Sequence, residues 1–295
     1  MGAALQVLGC IQTAVQLCNE VYKVVNEPVS EEEAYLDEGR ETGEIYVLIC
    51  ALDYKRTSNP LTCTIDGQNV QKLLSACGVP RENITVMYDE QCTKEAVLEA
   101  ISEVGGQCGE GDYFVFYYSG HGTSIKDYSG DEADGKDEAF CFVTDQGQIT
   151  YDSLLSDDDF AEAVTSGVSD DAKIIILTDC CHSGTIADFK SGGWENHKAI
   201  SIAGCTDEQT SGDIGRGGIF THSMLLAIAE LASQGETDYT VGRLYNTTLA
   251  KDDAVFNSAQ DIAIQCSPGM LPKNMAWPLV PQGGYTPPYG RRSLE

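Results

Sequence analysis

From Lys173 to Gly184 the chain reads KIIILTDCCHSG, an apolar run that ends in Asp179, two adjacent cysteines, a histidine and a Ser-Gly turn. A thiol becomes a strong nucleophile when a base or a positive field beside it favours the thiolate. A second apolar run, DYFVFYY from Asp112, ends in Ser119, Gly120, His121 and Gly122. A thiol from one segment and an imidazole from the other are the pair that acyl transfer through a covalent intermediate requires. Glycines flanking His121 let the backbone turn sharply and approach a substrate closely. His182 adjoins Cys181, but neighbours on an extended chain point to opposite faces.

Such a pairing needs elements that carry distant segments to one edge. The unbroken run Ile174 to Leu177 indicates a strand buried on both faces, as in a parallel sheet, and chemistry in open α/β sheets gathers past the carboxyl ends of strands. Strands are expected over 45–52, 83–89, 112–122, 173–179, 199–205 and 261–267. Helices are expected over 66–77, from a Thr93 cap to about 104, and over 153–164, 221–233 and 241–250. This alternation predicts an α/β fold, with a central, mostly parallel sheet of six or more strands flanked by helices on both faces. Residues 4–25 repeat apolar side chains at helical spacing and read as an amphipathic helix, followed by an acidic linker over 27–43. The Pro- and Gly-bearing stretch after Pro268 is expected to lie over the surface.

The 295 residues carry a net charge of −28, which disfavours nucleic acid and anionic membranes and attracts cations, metal ions included. Twelve cysteines are scattered without a CxxC pair, and Cys50, Cys141 and Cys205 sit inside apolar runs. Reduced thiols and a cytoplasmic setting are therefore expected, and a zinc site is not. No signal peptide or membrane-length apolar run is evident, and Gln6 breaks the myristoylation pattern.

YYSGHGT taken with DCCHSGT resembles the metacaspases, caspase-like cysteine peptidases, and the resemblance runs from about Ile45 to Cys266. It includes GDEADGKDEAF after the histidine and GCTDEQTSGD over 204–213, which is similar to the family's small-subunit signature. The resemblance implies a caspase-like fold with a large-subunit-like region over 44–190 and a small-subunit-like region over 191–267. An N-terminal segment over 1–43, without a proline-rich prodomain, and a tail over 268–295 flank them. It implies Cys181 as nucleophile, His121 as catalytic histidine, and the N–H groups of Gly122 and Cys181 as oxyanion donors. Cys63, Asp66, Ser119 and Asp179 match positions lining a pocket for Arg or Lys. Asp66 also suits a helix N-cap, and Cys180 suits packing.

The acidic stretch DYSGDEADGKDEAF spaces Asp127, Asp131, Asp134 and Asp137 much as an EF-hand does, but the closing Glu is absent, and a solvated loop has the same composition. The family's calcium site of separated aspartates instead maps to Asp137, Asp152 and Asp188, with Tyr151 where a fourth Asp is usual. The implied protein is a monomeric, calcium-dependent endopeptidase, a zymogen acting on protein or peptide substrates with Arg or Lys at the cut. A non-catalytic scaffold with the same fold is the alternative. Lys190, Lys198 and Arg216 are candidate points of self-cleavage.

Overall fold

The computed structural model describes residues 28–29, 43–126, 135–181, 183–190, 192–205, 217–258 and 261–288. The expected N-terminal helix, most of the acidic linker, His182, Arg216 and residues 127–134 lie outside the described residues.

A six-stranded sheet forms the centre, in the order β2-β1-β3-β7-β8-β9. Its strands are β1 (Ile45–Ala51), β2 (Ile84–Tyr88), β3 (Tyr113–Ser119), β7 (Lys173–Asp179), β8 (Lys198–Ala203) and β9 (Ala263–Cys266). The first five run parallel, and β9 pairs antiparallel with β8. Every residue of β3 and β7 is buried, as their unbroken apolar runs require. Burying each Ile, Leu or Phe side chain stabilises the fold by about 1.5–3 kcal/mol.

Side chains alternate between two cores, one on each face. Leu48, Phe114, Phe116, Tyr118, Ile174 and Ile176 face α2 (Lys94–Gly105) and α3 (Asp157–Gly167). Val47, Val115, Tyr117, Ile175 and Leu177 face α1 (Cys63–Ala76), α4 (Ile219–Ser233) and α5 (Val241–Lys251). This is the helix-covered sheet expected from the alternation of elements.

Three expectations need correction. The third run does not continue to residue 122. It ends at Ser119, and β4 (Gly122–Lys126) pairs antiparallel with β5 (Lys136–Cys141), which pairs with β6 (Leu154–Ser156) in a separate small sheet. The helix expected over 153–164 starts instead at Asp157, where the Ser156 hydroxyl accepts the Asp159 N–H at 3.2 Å and three aspartates occupy the positive end of the helix dipole. The stretch after Pro268 is not all surface. Met275, Trp277 and Leu279 are buried in the second core, and Ala276 bridges to Thr240.

Lys198 opens strand β8 rather than lying in a loop, whereas Lys190 is exposed outside the strands. All ten cysteines within the described residues are free thiols. No described helix is long and apolar enough to cross a membrane.

Candidate active site

Register makes the site. Ser119, the last residue of β3, pairs with Asp179, the last of β7, and Gly120 N–H donates to the Asp179 carbonyl at 3.2 Å. His121 and Cys181 each follow two residues later, so parallel neighbours deliver imidazole and thiol to the same rim. A Cβ built on Gly122 would collide with the carbonyl oxygen of Cys181. Only glycine allows these backbones to approach so closely.

The imidazole is held on three sides. Nε2 lies 2.7 Å from the carbonyl oxygen of Asn59. A carbonyl only accepts, so this contact assigns the proton to Nε2 and leaves the Nδ1 lone pair as the base. The His121 backbone N–H donates to the Tyr54 hydroxyl at 2.9 Å, and the His121 carbonyl accepts from Tyr118 Oη at 2.7 Å and from Cys141 N at 3.1 Å. The Tyr54 ring lies 4.4 Å from the imidazole, centroid to centroid.

Cys181 is partly exposed, while Cys180 is buried in the first core. Burial raises the Cys180 thiol well above its usual range, with the nearby Cys205 and Cys181 adding, which suits packing. The Cys180 carbonyl accepts from Ser183 Oγ at 2.9 Å and from Cys205 Sγ at 3.0 Å, so the turn after the nucleophile is tied down.

The expected pocket residues meet over the second core. Asp66 Oδ2 accepts from Ser119 Oγ and from Gly218 N–H, both at 2.9 Å. Asp179 Oδ2 accepts from Thr221 N–H at 2.8 Å and from Thr221 Oγ at 2.7 Å, at the amino end of α4. Side chains on Gly217 or Gly218 would collide with Asp66 and Asp179 respectively, so this two-glycine turn passes directly over both carboxylates. Gly217 has φ +104°, a conformation that favours glycine. Burial and the two carboxylates together keep the Tyr117 hydroxyl protonated. Cys63 is buried at the start of α1. The N-cap of that helix is Thr62, not Asp66, and Asp53 takes the Thr64 N–H at 2.7 Å.

The three aspartates assigned to calcium are not drawn into one shell. Asp137 and Asp188 are buried, while Asp152 is exposed on the turn before β6. No group of three or more His, Cys, Asp or Glu side chains among the described residues forms a metal site. Buried oxygen donors do gather around Asp188: burial lifts the Asp157 carboxyl to about 9, and the charges of Glu138 and Asp188 add to that. Glu138 Oε2 also accepts from Thr185 Oγ1 at 2.7 Å, tying β5 to the loop after Cys181. The donors are of the hard, oxygen-only kind that calcium takes, but the expected set does not converge.

Sequence reasoning missed Asn59, Tyr54, Thr221, Glu138 and Asp157. The Gly217-Gly218 pair before an apolar helix was a readable signal for a close approach. The Asn59 contribution is a main-chain carbonyl, which no residue type announces.

The arrangement is that of a caspase-like fold, with a thiol and an imidazole at adjacent strand ends beside buried acids. A crystal structure of a Geobacter sulfurreducens protein shares the fold, with a TM-score of 0.60 at 20% identity over 81% of this chain and 99% of that one. Residues 47–190 match the family model for the metacaspase, peptidase C14 domain. Metacaspase-1 of Arabidopsis thaliana is 29% identical over 243 residues, 70% of this chain and 65% of that protein. Metacaspase-1 of Candida glabrata is 30% identical over 158 residues, 50% of this chain and 39% of that protein. The chain is thus similar to metacaspases of peptidase family C14, with the domain match confined to residues 47–190, and it spans less than two thirds of the length of these curated relatives.

Proposed function

We propose that this protein is a cysteine endopeptidase that cleaves protein or peptide chains after Arg or Lys and depends on calcium. The observation that carries the reading is the single rim shared by His121, Gly122 and Cys181, with Asp66 and Asp179 gathered beside it.

The thiol of Cys181 gives its proton to Nδ1 of His121, and the sulfur attacks the scissile carbonyl carbon. The tetrahedral oxyanion is received by the N–H groups of Gly122 and Cys181. The C–N bond breaks, His121 protonates the departing amine, and the acyl group remains on sulfur as a thioester. Water, deprotonated by His121, then hydrolyses it. The Asn59 carbonyl stabilises the imidazolium formed on the way, as an acceptor for its Nε2–H.

Paired carboxylates near the rim favour a guanidinium or ammonium at the residue before the cut. The resemblance assigns calcium to Asp137, Asp152 and Asp188; because the exposed Asp152 stands apart from the buried Asp137 and Asp188, binding would have to draw it in, and the ion's charge would then order the loop after the nucleophile. The oxygen-only chemistry of that neighbourhood supports calcium.

Cleavage of fluorogenic peptides ending in Arg, Lys or Asp, with and without calcium, tests each part separately. Arg and Lys peptides should be cut and the Asp peptide left intact. Cys181→Ala should abolish turnover, and a chelator should silence it. Asp179→Asn should weaken kcat/KM on Arg peptides by about 2–5 kcal/mol, roughly 30-fold or more. Turnover by the Cys181 variant refutes the nucleophile, preference for Asp refutes the pocket, and indifference to chelator refutes the metal.

A further inference from the structure

We propose that a cleft beyond His121, on the opposite face of the sheet from the two pocket acids, receives the residue after the scissile bond and selects an uncharged aliphatic side chain there. The inference rests on the cysteine-peptidase reading and extends it to the leaving-group side.

The cleft has a volume of about 400 Å³; Thr57, Ser58, Asn59 and Gln148 give it polar but uncharged walls beside His121, Gly122 and Cys141, and Ile149 is its one aliphatic wall residue. Its placement follows from the sheet. Ser119 and Asp179 continue the alternation of Tyr117 and Leu177, and their partners Asp66 and Thr221 belong to the helices over the second core. Tyr54 and Cys141, which hold the backbone of His121, belong to the first core. A substrate whose basic side chain enters among the acids therefore meets His121 on the far side of its scissile carbon. The imidazole that takes the thiol proton must return it to the departing amine. The amine, and the residue that carries it, accordingly leave over His121 into the cleft.

The walls are preformed. Gln148 Nε2 donates to the Arg56 carbonyl at 2.6 Å and Arg56 donates to the Gln146 carbonyl at 3.4 Å, stitching the loop after β1 to the loop before β6. The lining is neutral apart from the catalytic imidazole, because burial holds the Cys141 thiol uncharged, at about 12. Ile149 is 37% exposed at the mouth and Tyr151, two residues on, is 62% exposed. These are two of only three large apolar side chains left exposed among the described residues. An aliphatic side chain packed against Ile149 gives this surface a use.

Partitioning of the acyl-enzyme tests the proposal in the intact protein. The acyl donor is an ester of whichever of Arg, Lys or Asp the peptide panel shows to be cleaved, with a small alcohol as leaving group. Amino-acid amides are then offered in competition with water. The acceptor amine attacks the thioester carbon, the C–N bond forms as the C–S bond breaks, and the amine proton passes through His121 to the leaving thiolate. The ratio of new amide to free acid is read within one intermediate, so folded fraction and acylation rate cancel.

Leucinamide should exceed glycinamide by roughly tenfold or more, the size of discrimination that an apolar contact supplies. The amides of aspartate and lysine should fall at or below glycinamide. Ile149→Ser should bring leucinamide down to the glycinamide level. Turnover with equal ratios for all acceptors, or a ratio unmoved by Ile149→Ser, overturns the cleft alone. Absence of any acyl transfer or hydrolysis, with every donor and with calcium present, overturns the peptidase reading and the cleft with it.

Discussion

Tyr54 binds the catalytic segment from both sides, its hydroxyl accepting the His121 N–H at 2.9 Å and donating to the Cys141 carbonyl at 2.7 Å. Its backbone sits at φ +53°, a conformation that costs a non-glycine residue about 1–3 kcal/mol and persists only where its surroundings enforce it. Burial, with Cys141 next, raises the hydroxyl well above its usual range, so it stays a donor throughout the working pH range. Tyr54→Phe keeps the ring on the imidazole, leaves the part-buried His121 N–H without its acceptor and removes the shorter of two hydroxyl donors to the Cys141 carbonyl, a loss of about 1–3 kcal/mol in urea unfolding. Because the imidazole is then less well aimed, kcat on peptide substrates should fall while KM changes little. A fall in stability with kcat intact would leave Tyr54 a purely structural residue. The thiols give a second prediction at this scale. Burial lifts Cys108 and Cys141 to about 12. At pH 8 about one in ten thousand of either is then thiolate, so iodoacetamide should label the partly exposed Cys181 long before them. Peptide mapping that finds Cys141 modified first would contradict this. His121 and Cys181 were legible in the sequence because their chemistry is carried by residue type. Tyr54 and Asn59 were not, since a hydroxyl bound to main chain and a bare carbonyl look like any tyrosine and any loop residue.

Elements were legible where one periodicity dominated. The runs in β1, β3 and β7 are apolar throughout, and that pattern alone specifies a doubly covered parallel sheet whose carboxyl ends carry the site. The small sheet β4-β5-β6 escaped because β6 has only three residues, β4 is half-buried, and the otherwise buried β5 opens on the charged Lys136, Asp137 and Glu138. The segment MAWPLV was misread for a different reason. The Pro and Gly of the surrounding stretch suggested surface chain, while Met275, Trp277 and Leu279 recur at a spacing of two, the mark of an extended segment, and every residue from Met275 to Val280 is buried. Trp277 is wholly buried, its indole N–H donates to the Leu279 carbonyl at 2.9 Å, and its backbone N–H donates to Tyr239 at 2.9 Å. Trp277→Ala should therefore destabilise the protein by about 3–5 kcal/mol, as cavity formation in a core does. A melting temperature within a degree or two of the parent would show that this stretch merely rests on the surface.

At the scale of the whole molecule, 46 acidic side chains against 18 basic ones leave a net charge of −28. Such a field reaches well beyond contact, about 30 Å in 10 mM salt and about 10 Å in 100 mM, and draws cationic chains toward the protein. The two pocket acids behave differently. Asp66 and Asp179 are 0% and 3% exposed, and mobile ions screen buried groups far less. Local recognition and long-range attraction should therefore separate in a salt series. For peptides with a single Arg at the cut and neutral flanks, kcat/KM should change little between 10 and 200 mM KCl. Each added Lys three or more residues from the cut should steepen the decline, and the effect should fall mainly on kcat/KM rather than kcat, because encounter and not chemistry is being screened. Calcium must be held saturating throughout, so that its own competition with potassium does not enter. If salt weakens cleavage equally for every flank, the attraction is confined to the pocket and the surrounding charge serves only to keep the protein dispersed.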